Sequence, residues 1–226
     1  MAALSEDLRV QTAAAHEHAE NSTFISELLA GRLKGQHVGW LLRQNLLIYR
    51  AFEGALRRTS DSRLRDFHDP ALERVPALES DLVQCFGRGW ESRPAEGDFL
   101  ITPASRAYAD ELAGAASTSY LLAQHYVRYL GDLSGGQIIS TLVQRHYGLS
   151  PDRLHFYAFD HIGKIKPYKD AYRTRLDQLE LTSTEKAEVV SHAVAAFESN
   201  RRVFVDLMDL VSGPVQLRDD TAFAGP

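Results

Sequence analysis

Apolar residues recur along most of the chain three or four positions apart, and no stretch alternates convincingly as a strand would. The clearest run is Gln36 to Arg58, where Trp40, Leu41, Leu47, Ile48, Ala51, Phe52 and Leu56 keep helical spacing. Ahead of it, Ser5 followed by Glu6 and Asp7 reads as a helix start, and that helix runs to about Asn21. Ser22 or Thr23 caps a short helix, Phe24 to Ala30, which Gly31 ends. Asp69-Pro70 opens a short helical turn, and Pro76 opens a longer helix ending near Gly87. Gly87 to Ile101 is rich in Gly, Pro and charge and reads as the least ordered stretch. Thr102-Pro103 begins a helix to about Ala116, and Tyr120 to Tyr147 reads as one long helix closed by Gly148 and Pro151. Leu154-His-Phe-Tyr-Ala-Phe159 is short and aromatic, and its spacing selects no state. A further helix covers Lys164 to Leu179. Thr182-Ser-Thr-Glu185 is a capping-box pattern. It starts a last long helix on which Phe197, Asn200, Phe204, Leu207 or Met208, and Val211 share one face. The pattern predicts an all-α single domain of about eight helices over residues 1–212. The tail, 213–226, has too few apolar residues to pack and is expected to be mobile.

Composition narrows the function classes. At 226 residues the chain fits one large domain or two small ones, and 44% hydrophobic content is ordinary for a soluble globular protein. A formal charge of −5 gives no general basic footprint for nucleic acid. The single cysteine, Cys85, excludes an intramolecular disulfide and a cysteine-built metal site, and reads as a small core residue. Met1-Ala-Ala-Leu-Ser-Glu-Asp is no secretory signal, and no run approaches the roughly 20 apolar residues of a membrane span. A cytoplasmic protein without a membrane anchor is expected.

Three glycines, Gly131, Gly135 and Gly136, interrupt the Tyr120–Tyr147 helix within six positions. Each costs a helix interior roughly 1 kcal/mol relative to alanine. Gly131 and Gly135, four apart, leave a bare strip, with Asp132 and Ser134 beside it. Either a neighbouring helix packs closely there, or a flat ligand lies against the backbone.

Three other groups could carry chemistry. His16 and Glu20 are i and i+4 on one face, so the carboxylate could hold one ring nitrogen while the other ligates a metal. A solvated polar cluster with Glu17 and His18 is the alternative, although His18 lies about 200° around the helix from His16. Lys169 and Arg173 form a basic i,i+4 pair that suits carboxylates, or a solvated charged face with Asp170. Arg128 and Asp132 are one turn apart and could hold each other or a water. Tyr49 and Asn200 sit on otherwise apolar faces, where a polar group wants a partner.

Leu130-Gly-Asp-Leu-Ser-Gly-Gly-Gln137 closely resembles the distal-helix signature of the haem oxygenases. His16-x-x-Ala19-Glu20-Asn21, before Phe24, resembles their proximal-helix pattern. The likeness runs from about Leu8 to about Leu207 and is nearest to the soluble bacterial enzymes, since animal members end in a membrane anchor. It implies a helical bundle with haem b held between a proximal helix and a glycine-bent distal helix, haem being both cofactor and substrate. His16 would be the axial iron ligand, with Glu20 behind it. Tyr126, Gly131, Gly135 and Gly136 would border the haem. Lys169, Arg173 and Arg9 would hold the propionates. Many relatives carry lysine at the Arg9 position, and animal members carry a further lysine where this chain has Ala13. Asp132, Arg128, Tyr49 and Asn200 match a distal network of ordered waters, walled by Phe197 and Phe204.

The activity so implied is O2- and electron-dependent cleavage of haem to biliverdin, the α isomer by the family's usual outcome, with release of CO and ferrous iron. An electron donor, a ferredoxin or flavin reductase system, is implied, and the family norm is a monomer. A non-catalytic haem-binding or storage protein is the alternative; it would keep His16 and the basic clamp but needs neither Asp132 nor the glycine strip. The Glu-x-x-His pairs of a ferritin-like di-iron site are absent from the sequence, and Cys85 is poorly placed for a thiaminase-like nucleophile.

Overall fold

The computed structural model describes residues 3–94 and 100–213. Eleven α-helical segments occur among them: α1 Leu4–Gln11, α2 Ala13–Glu20, α3 Thr23–Leu29, α4 Gln36–Arg58, α5 Ser62–Phe67, α6 Val75–Phe86, α7 Pro103–Ala113, α8 Thr118–His125, α9 Gly131–Tyr147, α10 Ile165–Asp177 and α11 Ser183–Ser212. No strand occurs among the described residues, so the all-α expectation holds. Residues 214–226, most of the expected mobile tail, lie outside the described residues, as do residues 95–99 of the Gly- and Pro-rich stretch.

Two long helices organise the rest. α4 packs against α6, α7 and α8, and α11 packs against α1, α2, α3, α7 and α8. The amphipathic pattern explains α4: Trp40, Leu41, Ile48, Phe52 and Leu56 are all buried. Each such side chain stabilises the fold by roughly 1.5–3 kcal/mol through loss of apolar surface to water. α11 starts at the expected capping box: Thr182 accepts from the Glu185 N–H at 3.2 Å, and the Glu185 carboxylate accepts from the Thr182 N–H at 2.8 Å. Gly31, at φ 72°, ends α3 in the left-handed region that glycine enters without strain.

Four features depart from the sequence pattern. The single first helix divides at Thr12, whose buried hydroxyl donates to the Leu8 carbonyl at 2.7 Å while its φ and ψ relax to −94° and −3°. Such back-bonding bends a helix without an apolar signal. α5 carries only Leu64 and Phe67 inward, too short a period to read; Asp61 caps it by accepting from the Arg63 N–H. Ser22 takes the N-cap position of α3 but makes no capping bond. The aromatic stretch around Tyr157, whose state its spacing left open, is a 3-10 turn, His155–Tyr157. The buried Asp81 carboxylate fixes that turn by accepting from the N–H groups of His155 and Phe156, each at 2.8 Å.

The fourth departure positions the site. α8 does not run straight into α9; Tyr126–Leu130 forms a π-helical turn between them. A π turn inserts one residue per turn, rotates the helix beyond it and is costly unless tertiary contacts hold it. Here His125, the last residue of α8, is buried and bonded at 2.9 Å to the Tyr172 hydroxyl of α10 and at 3.3 Å to His68. Arg128, within the turn, reaches α11. The bend expected at the glycines is thus made just ahead of Gly131, which opens α9.

Candidate functional site

The three glycines do different things. A Cβ built on Gly131 or on Gly135 would meet nothing within 4 Å, whereas one on Gly136 would lie 3.2 Å from the Tyr157 ring. Close packing against Tyr157 therefore explains Gly136. It fails for Gly131 and Gly135, whose bare faces look onto open space.

Beside the strip, Asp132 lies in a buried polar network. The Tyr49 hydroxyl, fully buried on α4, donates to the Asp132 carboxylate. Arg128 does not bond Asp132 directly, as the one-turn spacing had suggested. Its guanidinium donates to Asn200 of α11 at 2.6 Å and lies 5.0 Å from the ring centres of Tyr49 and Tyr108. Burial raises the Asp132 pKa to about 7, opposed by the Tyr49 bond and the Arg128 charge. Burial disfavours the Arg128 charge, but the fields of Tyr108, Tyr49 and Asp132 outweigh that and keep it protonated. Tyr49 is pushed well up by burial and by Asp132, so it remains a donor.

His16 packs against α11 one turn from Asn200. Its ring meets Phe197 edge-on at 5.3 Å, one turn before Asn200, so α11 joins the histidine to the polar network. Nε2 of His16 is 3.3 Å from Glu20 Oε1, and about half of its side chain is exposed. With one ring nitrogen beside Glu20, the other is left to ligate. His18 faces elsewhere, as its angular position requires: it lines a cavity of about 660 Å³ with Asn21, Phe24, Arg201 and Met208. Phe204 lines that cavity too, and His16, Gly131 and Gly135 do not.

The basic residues converge on Tyr126. Burial raises the pKa of this half-buried phenol, and the charges of Arg173 and Arg9 pull it back, which brings α1, the π turn and α10 to one place. Arg9 and Arg173 each pair with an exposed acid on their own helix, Glu6 at 2.6 Å and Asp170 at 3.1 Å. Such pairs are screened by water and easily exchanged. Lys169 makes no ion pair among the described residues, and burial and the Arg173 charge lower its pKa. The cluster is therefore short of negative charge.

Tyr108 and Arg74 carry no sequence signal for this site. Tyr108 bonds Gln124 at 2.5 Å and stacks on Arg128; Arg74 lends its charge to Asp132 from within a net of backbone carbonyls. An aromatic on the apolar side of α7 reads only as core. Among the described residues no group of three metal-ligating side chains occurs and no helix is long and apolar enough to cross a membrane. A ligand bound through His16 must bring its own metal with other donors, be flat beside Gly131 and Gly135, and carry anionic groups toward Tyr126. An iron porphyrin with propionates fits those three requirements.

Comparison with known proteins gives one family. The family model "Heme oxygenase" matches residues 2–206. The heme oxygenase of Rhodella violacea is 33% identical over 208 residues, 90% of this chain and 86% of that protein. Heme oxygenase 2 of Rattus norvegicus is 32% identical over 213 residues, 92% of this chain and 66% of that protein, so the chain spans about two thirds of its length. The crystal structure of heme oxygenase-1 from the cyanobacterium Synechocystis in complex with heme is similar with a TM-score of 0.85 at 31% identity, covering 93% of this chain and 95% of that one.

Two outcomes are expected from the geometry. Gly131→Ala and Gly135→Ala should each hold or raise the ligand-free stability by up to ~1 kcal/mol, yet weaken hemin binding, because the added methyl occupies the strip. Gly136→Ala should lower stability, since Tyr157 is held in place and cannot give way. Urea denaturation and hemin titration of the three variants read this, and one common behaviour would contradict it. The second outcome concerns pH. Asp132 is raised from its ordinary 3.8 to about 7 in the folded protein, so the stability it contributes is fully present below about pH 4 and is lost as pH rises through about 7. The stability of Asp132→Asn relative to wild type should therefore increase between pH 4.5 and pH 8. Parallel pH curves would refute the shift.

Proposed function

The chain belongs to the haem oxygenase family, and from that premise we propose that it cleaves haem to biliverdin, CO and ferrous iron at the site between His16 and the Gly131–Gly135 strip. The observation that carries this reading over haem storage is the half-buried Asp132 carboxyl, held by the buried Tyr49 hydroxyl beside the bare strip. Storage needs a ligand and a clamp. It gives no reason to keep a carboxyl near pKa 7, at the cost of burying it, next to two glycines with nothing against them.

When bound, haem supplies the iron that activates O2 and the ring that is oxidised. The chain's own residues bind, orient and move protons. His16 ligates through one ring nitrogen, and Glu20 fixes the ring through the other. Gly131 and Gly135 let the backbone of α9 approach the distal face, so that space on that side is limited to one direction. Asp132, held by Tyr49 and tuned by Arg128, is half protonated near neutral pH and can pass a proton through a water to the reacting oxygen. Asn200 keeps Arg128 aimed into the network. Lys169, Arg173 and Arg9 would hold the propionates, and a clamp on those groups would select the meso carbon that reacts. α-Cleavage is the outcome this clamp favours. Electrons come from an external donor of ferredoxin or flavin-reductase type, and the protein works as a cytoplasmic monomer.

Purified protein with hemin, then ascorbate in air with catalase, should convert its Soret band into the broad red absorption of biliverdin. Asp132→Asn should keep the Soret band, since no ligand to iron is lost, but form biliverdin at least ~10²-fold more slowly; turnover at the wild-type rate would remove Asp132 from the mechanism. Replacing Lys169 and Arg173 together with neutral residues should give mixed biliverdin isomers by chromatography. A product of unchanged isomer composition would remove the clamp as selector.

A further inference from the structure

Tyr157 belongs to the 3-10 turn that Asp81 fixes, and the aromatic run it sits in has no role in haem cleavage as derived from His16, Asp132 and the basic clamp. It is 4% exposed. Its backbone carbonyl accepts from the Gln137 side-chain amide of α9 at 2.7 Å, and Phe156 packs edge-on against its ring at 4.9 Å. The base of the ring lies on Gly136: a Cβ there would be 3.2 Å from Cδ1 and 3.9 Å from the Tyr157 Cβ. Gly136 and Asp132 are four apart, so they share a face of α9, one turn or ~5.4 Å from each other. A tyrosine spans about that length from Cβ to oxygen, so a ring seated at Gly136 can reach the level of Asp132. Burial raises the Tyr157 pKa, and the Asp132 carboxylate adds to the rise, as a neighbouring anion must. The hydroxyl has no hydrogen-bond partner among the described residues and is not sealed from solvent. A phenol held this firmly, with no protein partner on its oxygen, has its hydroxyl free for a water or a ligand.

Resting on the haem-cleavage reading, we propose that Tyr157 is a further substrate-contacting residue, whose hydroxyl donates a hydrogen bond into the distal side of the haem site at the edge of the Gly131–Gly135 strip. The acceptor is the water or oxygen ligand on that side, directly or through the water that Asp132 also holds. Tyr157 would then work as a fixed donor beside a group that exchanges its proton. Asp132, at a pKa of about 7, titrates in the working range, whereas the phenol stays protonated throughout. This division gives the site one permanent donor and one proton carrier. Gly136 and Gln137, the last residues of the glycine-rich signature, have their reason in holding the tyrosine rather than the ligand.

Tyr157→Phe removes one oxygen and leaves the ring against Gly136. The ferric hemin complexes of wild type and Tyr157→Phe are titrated from acid to alkaline pH and followed by their visible spectra. A donor stabilises iron-bound hydroxide over water, so its removal should raise the acid–alkaline transition by about one pH unit, tenfold in the ionisation constant. The C–O stretch of the ferrous carbonyl complex is a second readout and should shift when the donor is lost. A Soret band in both proteins with an unchanged or lowered transition and an unmoved C–O stretch overturns the Tyr157 proposal and leaves the haem reading standing. A wild-type protein that forms no Soret band overturns that reading and this proposal together.

Discussion

A buried guanidinium has to be neutralised or hydrogen-bonded where it stands, and Arg128 is the charge on which this structure turns. It is 6% exposed, donates to Asn200 at 2.6 Å and lies against the faces of Tyr49 and Tyr108. Those three residues come from α11, α4 and α7. A single side chain therefore ties the π turn to three helices at once. Breaking one partner away would leave an uncompensated charge in the core, which is far costlier than the pair is beneficial. The π turn, unfavourable alone, persists because Arg128 on one side and the His125–Tyr172 bond on the other hold it.

From that fastening the site takes its form. α9 starts at Gly131 with its bare strip turned to open space rather than to a neighbouring helix. Asp132 falls where Tyr49 can hold it and where burial brings its pKa to about 7. α11 carries Phe197 to His16 on one turn and Asn200 to Arg128 on the next, so the ligating side and the proton-handling side share a rigid support. Arg9, Lys169 and Arg173 gather at Tyr126, at the start of the same π turn. On the proposed reading, the residues for ligation, orientation and proton supply are held relative to one another by packing before any ligand arrives, as selective attack at one meso carbon would require.

Much of this was legible in the sequence. α4 was readable to its end residues because its apolar period is long and clean, and α11 because Thr182 and Glu185 make a local signal. The glycine spacing marked the strip, and His16 with Glu20 was set by helix geometry. The illegible parts depend on partners distant in sequence. The π turn has no local signature, since its reasons lie on α10 and α11. Thr12 bends its helix through one hydroxyl. Gly136 looked like Gly135 until Tyr157 was found against it. Spacing left Arg128 either to Asp132 or to a water, and its partner is Asn200, 72 positions away. Phe204 sits on α11 and lines the cavity beside His18, a neighbour that spacing along one helix does not announce.

The central claim is a location: a flat iron-bearing ligand between His16 and the bare faces of Gly131 and Gly135, rather than in the 660 Å³ cavity lined by His18. The most direct measurement is an anomalous difference map at the iron edge from crystals of the hemin-loaded protein. The expected result is one strong peak within ligating distance of a His16 ring nitrogen and facing the Gly131–Gly135 strip. A peak beside His18, or none near His16, would contradict it.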